Sequence, residues 1–353
     1  MRHSVIVPVF NRPEEADELL ESLAAQPYRD FEVLIVEDGS SLPCDHVVKK
    51  YRDRLDVKYF VKPNSGPGQT RNYGAERAQG EWLIILDSDV VVPQGYFGAI
   101  EKELAATACD AFGGPDRASD NFSDIQKAIN YAMTSFFTTG GIRGGKRKLD
   151  KFYPRSFNMG IRRDVFAALG GFSKMRFGED IDLSIRIFKG GYSCRLFPEA
   201  WVWHKRRTDF RKFFKQVHNS GIARINLYKK YPDSLKPVHL LPALFTVGLT
   251  LCLALILAGG AFGLLARSAA ACRWPGSLPT VLATLGVLPP FLFSLVILAD
   301  ATVRNRSLKV GLLSVPAAFV QLLGYGSGFL RAWWERVIRG KGEMQAFKNS
   351  FYK

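Results

Sequence analysis

Hydrophobic patterning divides the chain into two unlike parts. Over the first hundred residues, short β-branched runs alternate with amphipathic stretches, which predicts βαβ units and a mostly parallel sheet. SVIVPVF, Ser4 to Phe10, reads as a buried strand. Pro13 then falls in the first turn of a helix through EEADELLESLAAQ, whose acidic residues suit the positive end of the helix dipole. FEVLIVEDGS forms a second strand ending in a turn at Gly39 and Ser40, and VKYFV, Val57 to Val61, a shorter third. A glycine-rich turn at Ser65 to Gly68 opens a helix through GQTRNYGAERAQ, and EWLIILDSD gives the next strand. Asp38, Asp87 and Asp89 therefore sit at strand C-termini, where open α/β sheets bind ligands.

From Asp110 to Lys230 the pattern is less regular. A glycine-rich loop at Thr139 to Gly145 is expected to be mobile, and FNMGIRRDVFAALGGF, GEDIDLSIRIFKGG and a strand-like YSCRLF follow. A basic amphipathic helix is predicted from about Asp209 to Lys230, with Phe210, Phe213, Phe214 and Val217 facing either lipid or the head. Beyond it come three apolar stretches, 239–265, 278–298 and 310–330, each near the ~20 residues that span a bilayer. Gly259-Gly260 and Pro289-Pro290 are positions for kinks in the first two. The pattern predicts a soluble head over 1–238 ending in the amphipathic helix (about 209–230), a transmembrane region over 239–331 and a basic tail over 332–353.

Charge and cysteine content narrow the setting. The formal net charge is +15, but much of the excess lies near the apolar stretches, where attraction to anionic headgroups explains it more simply than nucleic acid. Nucleic acid is therefore not an expected partner. Cys44, Cys109, Cys194, Cys252 and Cys272 are scattered without metal-ligand spacing, which fits a reducing compartment. MRHSVIVPVFNRPEE has too short an apolar run for a signal peptide, which places the head in the cytosol. Arg331, Arg336, Arg339, Lys341, Lys348 and Lys353 pull the C-terminus to the same side. Three crossings would not allow that. An even number of crossings is expected, either because one stretch is re-entrant, with the Pro289-Pro290 segment the best candidate, or because one stretch crosses twice.

The residues carrying chemistry are acidic. Asp87 and Asp89 flank Ser88 directly after the apolar run WLIIL, and two carboxylates so placed repel unless a cation lies between them. Oxygen ligands suit Mg²⁺ or Mn²⁺ shared with a substrate diphosphate, although D-x-D also serves as a turn or cap. Asp38 can accept hydrogens from a nucleobase or ribose, or form an Asx-turn. Arg71, in the helix opened by SGPG, can meet a phosphate or form a surface ion pair. Glu179-Asp180, after Gly178, can cap a helix or supply a general base.

Taken in order, SVIVPVFNR, EVLIVEDGS, NSGPGQTRNYGAERAQGEWLIILDSD, FNMGIRRDVFAALGGF and GEDIDLSIRIFKGGY resemble the inverting family 2 glycosyltransferases of the GT-A fold, over about Ser4 to Tyr228. The resemblance implies an α/β fold with a Rossmann-like mixed sheet, followed here by transmembrane helices. It also implies that Pro8, Val9 and Phe10 line a base pocket, Asp38 binds the base, and Arg71, Asp87 and Ser88 lie at the nucleotide sugar. Asp89 would hold the metal with Asp87, His204 of WVWHKRR would assist the metal or be a surface histidine, and Asp180 would be the catalytic base. Asn158, with Glu179, would touch the donor sugar or acceptor, or Asn158 would serve a turn. Membrane-embedded polysaccharide synthases of this superfamily carry Q-x-x-R-W after the base. The corresponding stretch here is FFKQVHNSGIARI, with Gln216 but no Arg-Trp. The expected activity is therefore transfer of a single sugar from a nucleotide-diphosphate donor, a UDP-sugar favoured, to a lipid-linked or saccharide hydroxyl. The setting would be the cytosolic face of a bacterial-type inner membrane, in cell-surface polysaccharide or glycolipid synthesis. A processive synthase and an inactive nucleotide-sensing membrane scaffold are the alternatives.

Overall fold

A computed structural model describes residues 1–117, 122–140, 152–175, 177–205, 207–268 and 278–343. The expected glycine-rich loop falls mostly outside these residues. The chain divides into two compact units, one built from Met1–Asp120 and Lys148–Lys205, the other from Asn121–Arg147 and Arg206–Ala346.

The first unit contains strands β1 (His3–Val9), β2 (Phe31–Asp38), β3 (Val57–Lys62), β4 (Trp82–Leu86), β5 (Val90–Val91), β6 (Ala111–Gly113), β7 (Asp116–Arg117), β8 (Asn158–Arg162), β9 (Cys194–Leu196) and β10 (Val202–His204). Its helices are α1 (Pro13–Ala24), α2 (Asp45–Lys49), α3 (Pro67–Ala75), α4 (Tyr96–Ala106), α7 (Arg163–Ala168) and α8 (Glu179–Lys189). Seven strands form one sheet in the order β3-β2-β1-β4-β8-β6-β9. The β3-β2-β1-β4 half is parallel, and β8 runs antiparallel to both β4 and β6, so the sheet is mixed. Alternate residues of each strand enter opposite cores. Val5, Val7 and Val9 pack with Leu19, Leu20 and Leu23 of α1, while Ile6, Leu34 and Ile85 pack with Leu183 and Ile187 of α8. Burial on both faces is why these strands read as continuous apolar runs.

A second, three-stranded sheet has the order β5-β10-β7, with His204 opposite Val90 in the antiparallel β10/β5 pair. It is small, but it fixes a histidine beside the residues that leave β4.

The second unit is helical: α5 (Asp124–Thr134), α6 (Phe136–Thr139), α9 (Phe210–Lys230), α10 (Leu241–Ser268), α11 (Leu278–Asn305) and α12 (Leu308–Trp333). Helix α9, which the sequence division counts with the head, groups with the apolar helices. Its Phe213 and Val217 are buried against α5 and α12 rather than facing lipid, while Phe214 stays exposed. Among the described residues, three helices are long and apolar enough to cross a membrane. Helix α11 runs unbroken through Pro289 and Pro290. Gly286, one turn earlier, lies against the Cys252 carbonyl and Ile256 of α10, so the helix carrying the prolines is held along its length by its neighbour.

Candidate functional site

Asp87, Ser88 and Asp89 fill the three positions between β4 and β5, where the chain leaves the parallel half of the sheet. Asp89 accepts from Arg12 Nη1 at 2.8 Å, and its other oxygen lies 3.3 Å from His204 Nε2. The far ring nitrogen of His204 is 3.8 Å from Asp116, and its ring stacks on Phe157 with centroids 4.9 Å apart. One ligand atom each from Asp87, Asp89 and His204 lie within 4.8 Å of one another. Two carboxylates and one imidazole at that spacing fit a hard divalent ion of the Mg²⁺ or Mn²⁺ type.

Arg71 connects this cluster to a second acidic element. Helix α3 begins after Gly66, whose φ of 89° only glycine adopts readily, and buries Arg71 beneath the site. Its guanidinium donates to Asp87 at 2.6 Å and to Glu179 at 3.0 Å, and lies 5.3 Å from the centroid of the Phe172 ring. The ion pair expected at Arg71 is thus present, but buried and shared between two carboxylates rather than on the surface. Burial raises the Glu179 pKa, the neighbouring Asp180 charge raises it further, and Arg71 pulls it back.

Glu179 and Asp180 open α8 after Gly178, which adopts φ 79°. Asp180 accepts from the Ile181 N–H at 2.8 Å and pairs with Arg155 Nε at 2.8 Å. The carboxylate is therefore both at a helix N-terminus and oriented by a half-exposed guanidinium. Among the described residues, Arg71 bridges directly from the Asp87 end of β4 to the residue before Asp180.

The remaining expected positions fall into different environments. Asp38 is 3% exposed, and its carboxylate takes Lys62 Nζ at 2.5 Å and the Ser65 and Gly66 N–H groups at 2.9 Å each. It closes the turn that launches α3. Pro8 and Phe10 are half-buried, but the Val9 side chain lies in the hydrophobic core, because strand alternation turns it away from its neighbours. Its side chain is thus not available to a base pocket. Ser88 is buried. Asn158 is fully buried on β8, not in a turn; Tyr96 OH donates to its oxygen at 2.6 Å, and its nitrogen donates to the Ala200 carbonyl at 2.7 Å. With both ends of its amide used, Asn158 braces β8 against its neighbours. Arg12 and Arg155, which sequence reasoning did not single out, pair with Asp89 and Asp180 at 2.8 Å each. Their only sequence signals are positions beside prolines, in N-R-P and Y-P-R.

Residues 4–170 match the model of glycosyl transferase family 2. An uncharacterized glycosyltransferase of Rickettsia felis is 40% identical over 135 residues, 38% of this chain and 22% of that protein. The poly(ribitol-phosphate) beta-N-acetylglucosaminyltransferase TarS of Staphylococcus aureus is 43% identical over 93 residues, 25% of this chain and 16% of that one. The match thus spans about a fifth of the length of these relatives. Among solved structures, the mannosyltransferase PcManGT of Pyrobaculum calidifontis, in complex with GDP-Man and Mn²⁺, superposes with a TM-score of 0.56 at 17% identity, over 95% of this chain and 88% of that one. The shared architecture is the GT-A type.

Proposed function

We propose that this chain, whose residues 4–170 are a glycosyl transferase family 2 domain, transfers a single sugar with inversion from a nucleotide-diphosphate donor to a lipid-linked or saccharide hydroxyl at a membrane face. The observation that carries the reading is the chain of contacts from the Asp87–Asp89–His204 cluster, through Arg71, to Glu179 and Asp180. A divalent ion held by that cluster would supply counter-charge for a leaving diphosphate within one guanidinium of a carboxylate able to act as base.

In this account Asp180 removes the proton of the acceptor hydroxyl as its oxygen attacks the anomeric carbon and the bond to the diphosphate oxygen breaks. Arg155 holds the Asp180 carboxylate in place, and Arg71 holds Asp87 and Glu179 apart. Asp89, Asp87 and His204 would hold the divalent ion, which when bound supplies positive charge where the departing diphosphate develops negative charge. Asp38 stiffens the turn before α3, and the Pro8 to Phe10 end of β1 and that turn flank the place for the base. We favour a UDP-sugar as the donor. Single transfer is preferred to processive synthesis because Gln216 is not followed by Arg-Trp. The three apolar helices tether the enzyme to the membrane that carries its acceptor.

The test is to incubate detergent-solubilised protein with a panel of nucleotide sugars, Mn²⁺ or Mg²⁺, and lipid extract. Release of nucleoside diphosphate with one sugar added per acceptor is expected. A long polymer would favour the processive alternative, and no release with any donor would favour the inactive scaffold.

A further inference from the structure

Among the described residues the three apolar helices are not equivalent. In their most apolar windows 11% of α10 and 11% of α11 is buried inside the protein, against 39% of α12. Helices α10 and α11 form an antiparallel hairpin, with Phe245 beside Phe293 at 5.1 Å between ring centroids, Gly286 beside Cys252 and Ile256, and Gly259 beside Pro279. Their outer faces leave Leu251, Leu257, Leu285 and Leu292 at least half exposed, a surface suited to hydrocarbon.

Helix α12 instead packs on two helices too polar to enter hydrocarbon. At its start Lys309 pairs with Asp124 of α5 at 2.8 Å, and Val310 and Ala317 share a cluster with Ala128, Ile129 and Phe213. Farther on it runs beside α9. A methyl group on Gly324 would overlap Val217, one on Gly328 would overlap the His218 carbonyl, and one on Gly221 would overlap the backbone at Tyr325 and Phe329. These glycines let the two backbones meet, a small-residue seam. Tyr228 stacks on Trp333 at 5.8 Å, and Arg336 donates to Asn226 at 2.6 Å. The shared stretch, from Phe214 beside Gly324 to Asn226 beside Arg336, is about 18 Å long at about 1.5 Å per residue. Over that length α9 carries Lys215, Gln216, His218, Asn219 and Arg224. A helix so charged does not cross a bilayer, and a partner lying along it stays at its level.

The close contacts of α12 with the hairpin fall at one end of the hairpin. Gly311 meets Thr302 and Leu298, the Phe319 ring lies 5.7 Å from Phe245 and 5.6 Å from Phe293, and Gly326 meets Pro242 and Thr246. At that end the chain enters α10 and leaves α11. We propose that α10 and α11 are the membrane crossings and that α12 lies with α9 and α5 in the headgroup layer. The segment after α12 is thereby on the same side as the head. Leu308 and Leu312 at the start of α12, and Trp334 and Ile338 near Arg331 and Arg339 beyond its other end, remain exposed on this platform, the mixture that anchors a helix in the plane of an anionic lipid surface. The charge pattern agrees. Lys236, Arg304, Arg306, Arg336 and Lys341 all belong to that side, and the opposite end of the hairpin offers Arg267, in the last turn of α10, and Arg273.

The inference rests on the membrane-tether reading but not on the chemistry of the head. Its test uses full-length protein in sealed membrane vesicles of known sidedness, with native cysteines replaced and one cysteine introduced at a time: Lys49→Cys in the head, Ser277→Cys between α10 and α11, and Lys341→Cys after α12. A membrane-impermeant maleimide should label positions 49 and 341 from one face and 277 from the other, with at least tenfold preference each. Labelling of 341 from the face opposite to 49, or from neither face, overturns the proposal. Labelling of 277 from the same face as 49 shows that the hairpin does not cross, and fails the tether reading as well. Should loss of the native thiols unfold the head, a protease site inserted after Gly342 into the otherwise native chain gives the same discrimination: cleavage from the head's face supports two crossings, and cleavage from the opposite face alone, or from neither, overturns them.

Discussion

Arg71→Met removes one cation from between two carboxylates and leaves most other contacts in place. The Arg71 side chain is 4% exposed, Glu179 10% and Asp87 30%, so the substitution strands one nearly buried carboxylate and one partly solvated one. Breaking a buried ion pair by deleting one partner costs about 3–5 kcal/mol. The lower end is expected, because Asp87 keeps some water and Glu179, whose pKa burial already raises, can take up a proton. A loss of about 3 kcal/mol in a unit of this size corresponds to a fall of about 6–12 °C in unfolding temperature. The assay is thermal unfolding of solubilised protein at pH 7, followed by tryptophan fluorescence. Arg71→Lys should fall between wild type and Met, since one ammonium cannot reach both carboxylates as the planar fork does. Adding Glu179→Gln to Arg71→Met should recover part of the loss by removing the stranded charge. A fall of less than about 2 °C in Arg71→Met, or no recovery in the double variant, would refute the claim that Arg71 is the electrostatic joint of the site.

Two further outcomes follow from the same geometry. Asp180→Asn should lower turnover by about 10² to 10⁴ while nucleotide binding in the presence of Mn²⁺ is retained; wild-type turnover in that variant would remove Asp180 from the role of base. Gly39→Ala should destabilise the head by more than about 1 kcal/mol, because Gly39 has φ 72° and a Cβ there would stand 2.8 Å from the Asn64 nitrogen. Denaturant titration checks it, and an unchanged midpoint would mean that the turn held by Asp38 relaxes freely.

The long elements of the head were legible because their burial is recorded in composition. Strands β1, β2 and β4 are apolar runs buried on both faces, and α8 shows its amphipathic spacing openly. Strands β5, β7 and β10 have two or three residues each, too few for any period, so the sheet that carries His204 to Asp89 was not visible; His204 itself entered through resemblance alone. The acidic residues stood out because carboxylates at strand ends are unusual without a cation. Two of their arginine partners did not, since Arg12 and Arg155 come from loops whose approach is set by the fold. Val9 shows the opposite failure. A motif names three consecutive residues, and strand alternation sends the middle one into the core. In the tail, hydrophobicity counted apolar residues but not what they touch, so the seam that Gly324 and Gly328 of α12 form against α9 was not visible.

The most direct measurement of the central claim is calorimetric titration of metal-depleted protein with UDP, with and without Mn²⁺, for wild type and Asp89→Ala. If Asp87, Asp89 and His204 join a divalent ion to the donor diphosphate, Mn²⁺ should tighten UDP binding of the wild type at least ~10-fold, about 1.4 kcal/mol, and leave Asp89→Ala unaffected. Equal affinities with and without the ion, or the same gain in Asp89→Ala, would contradict it.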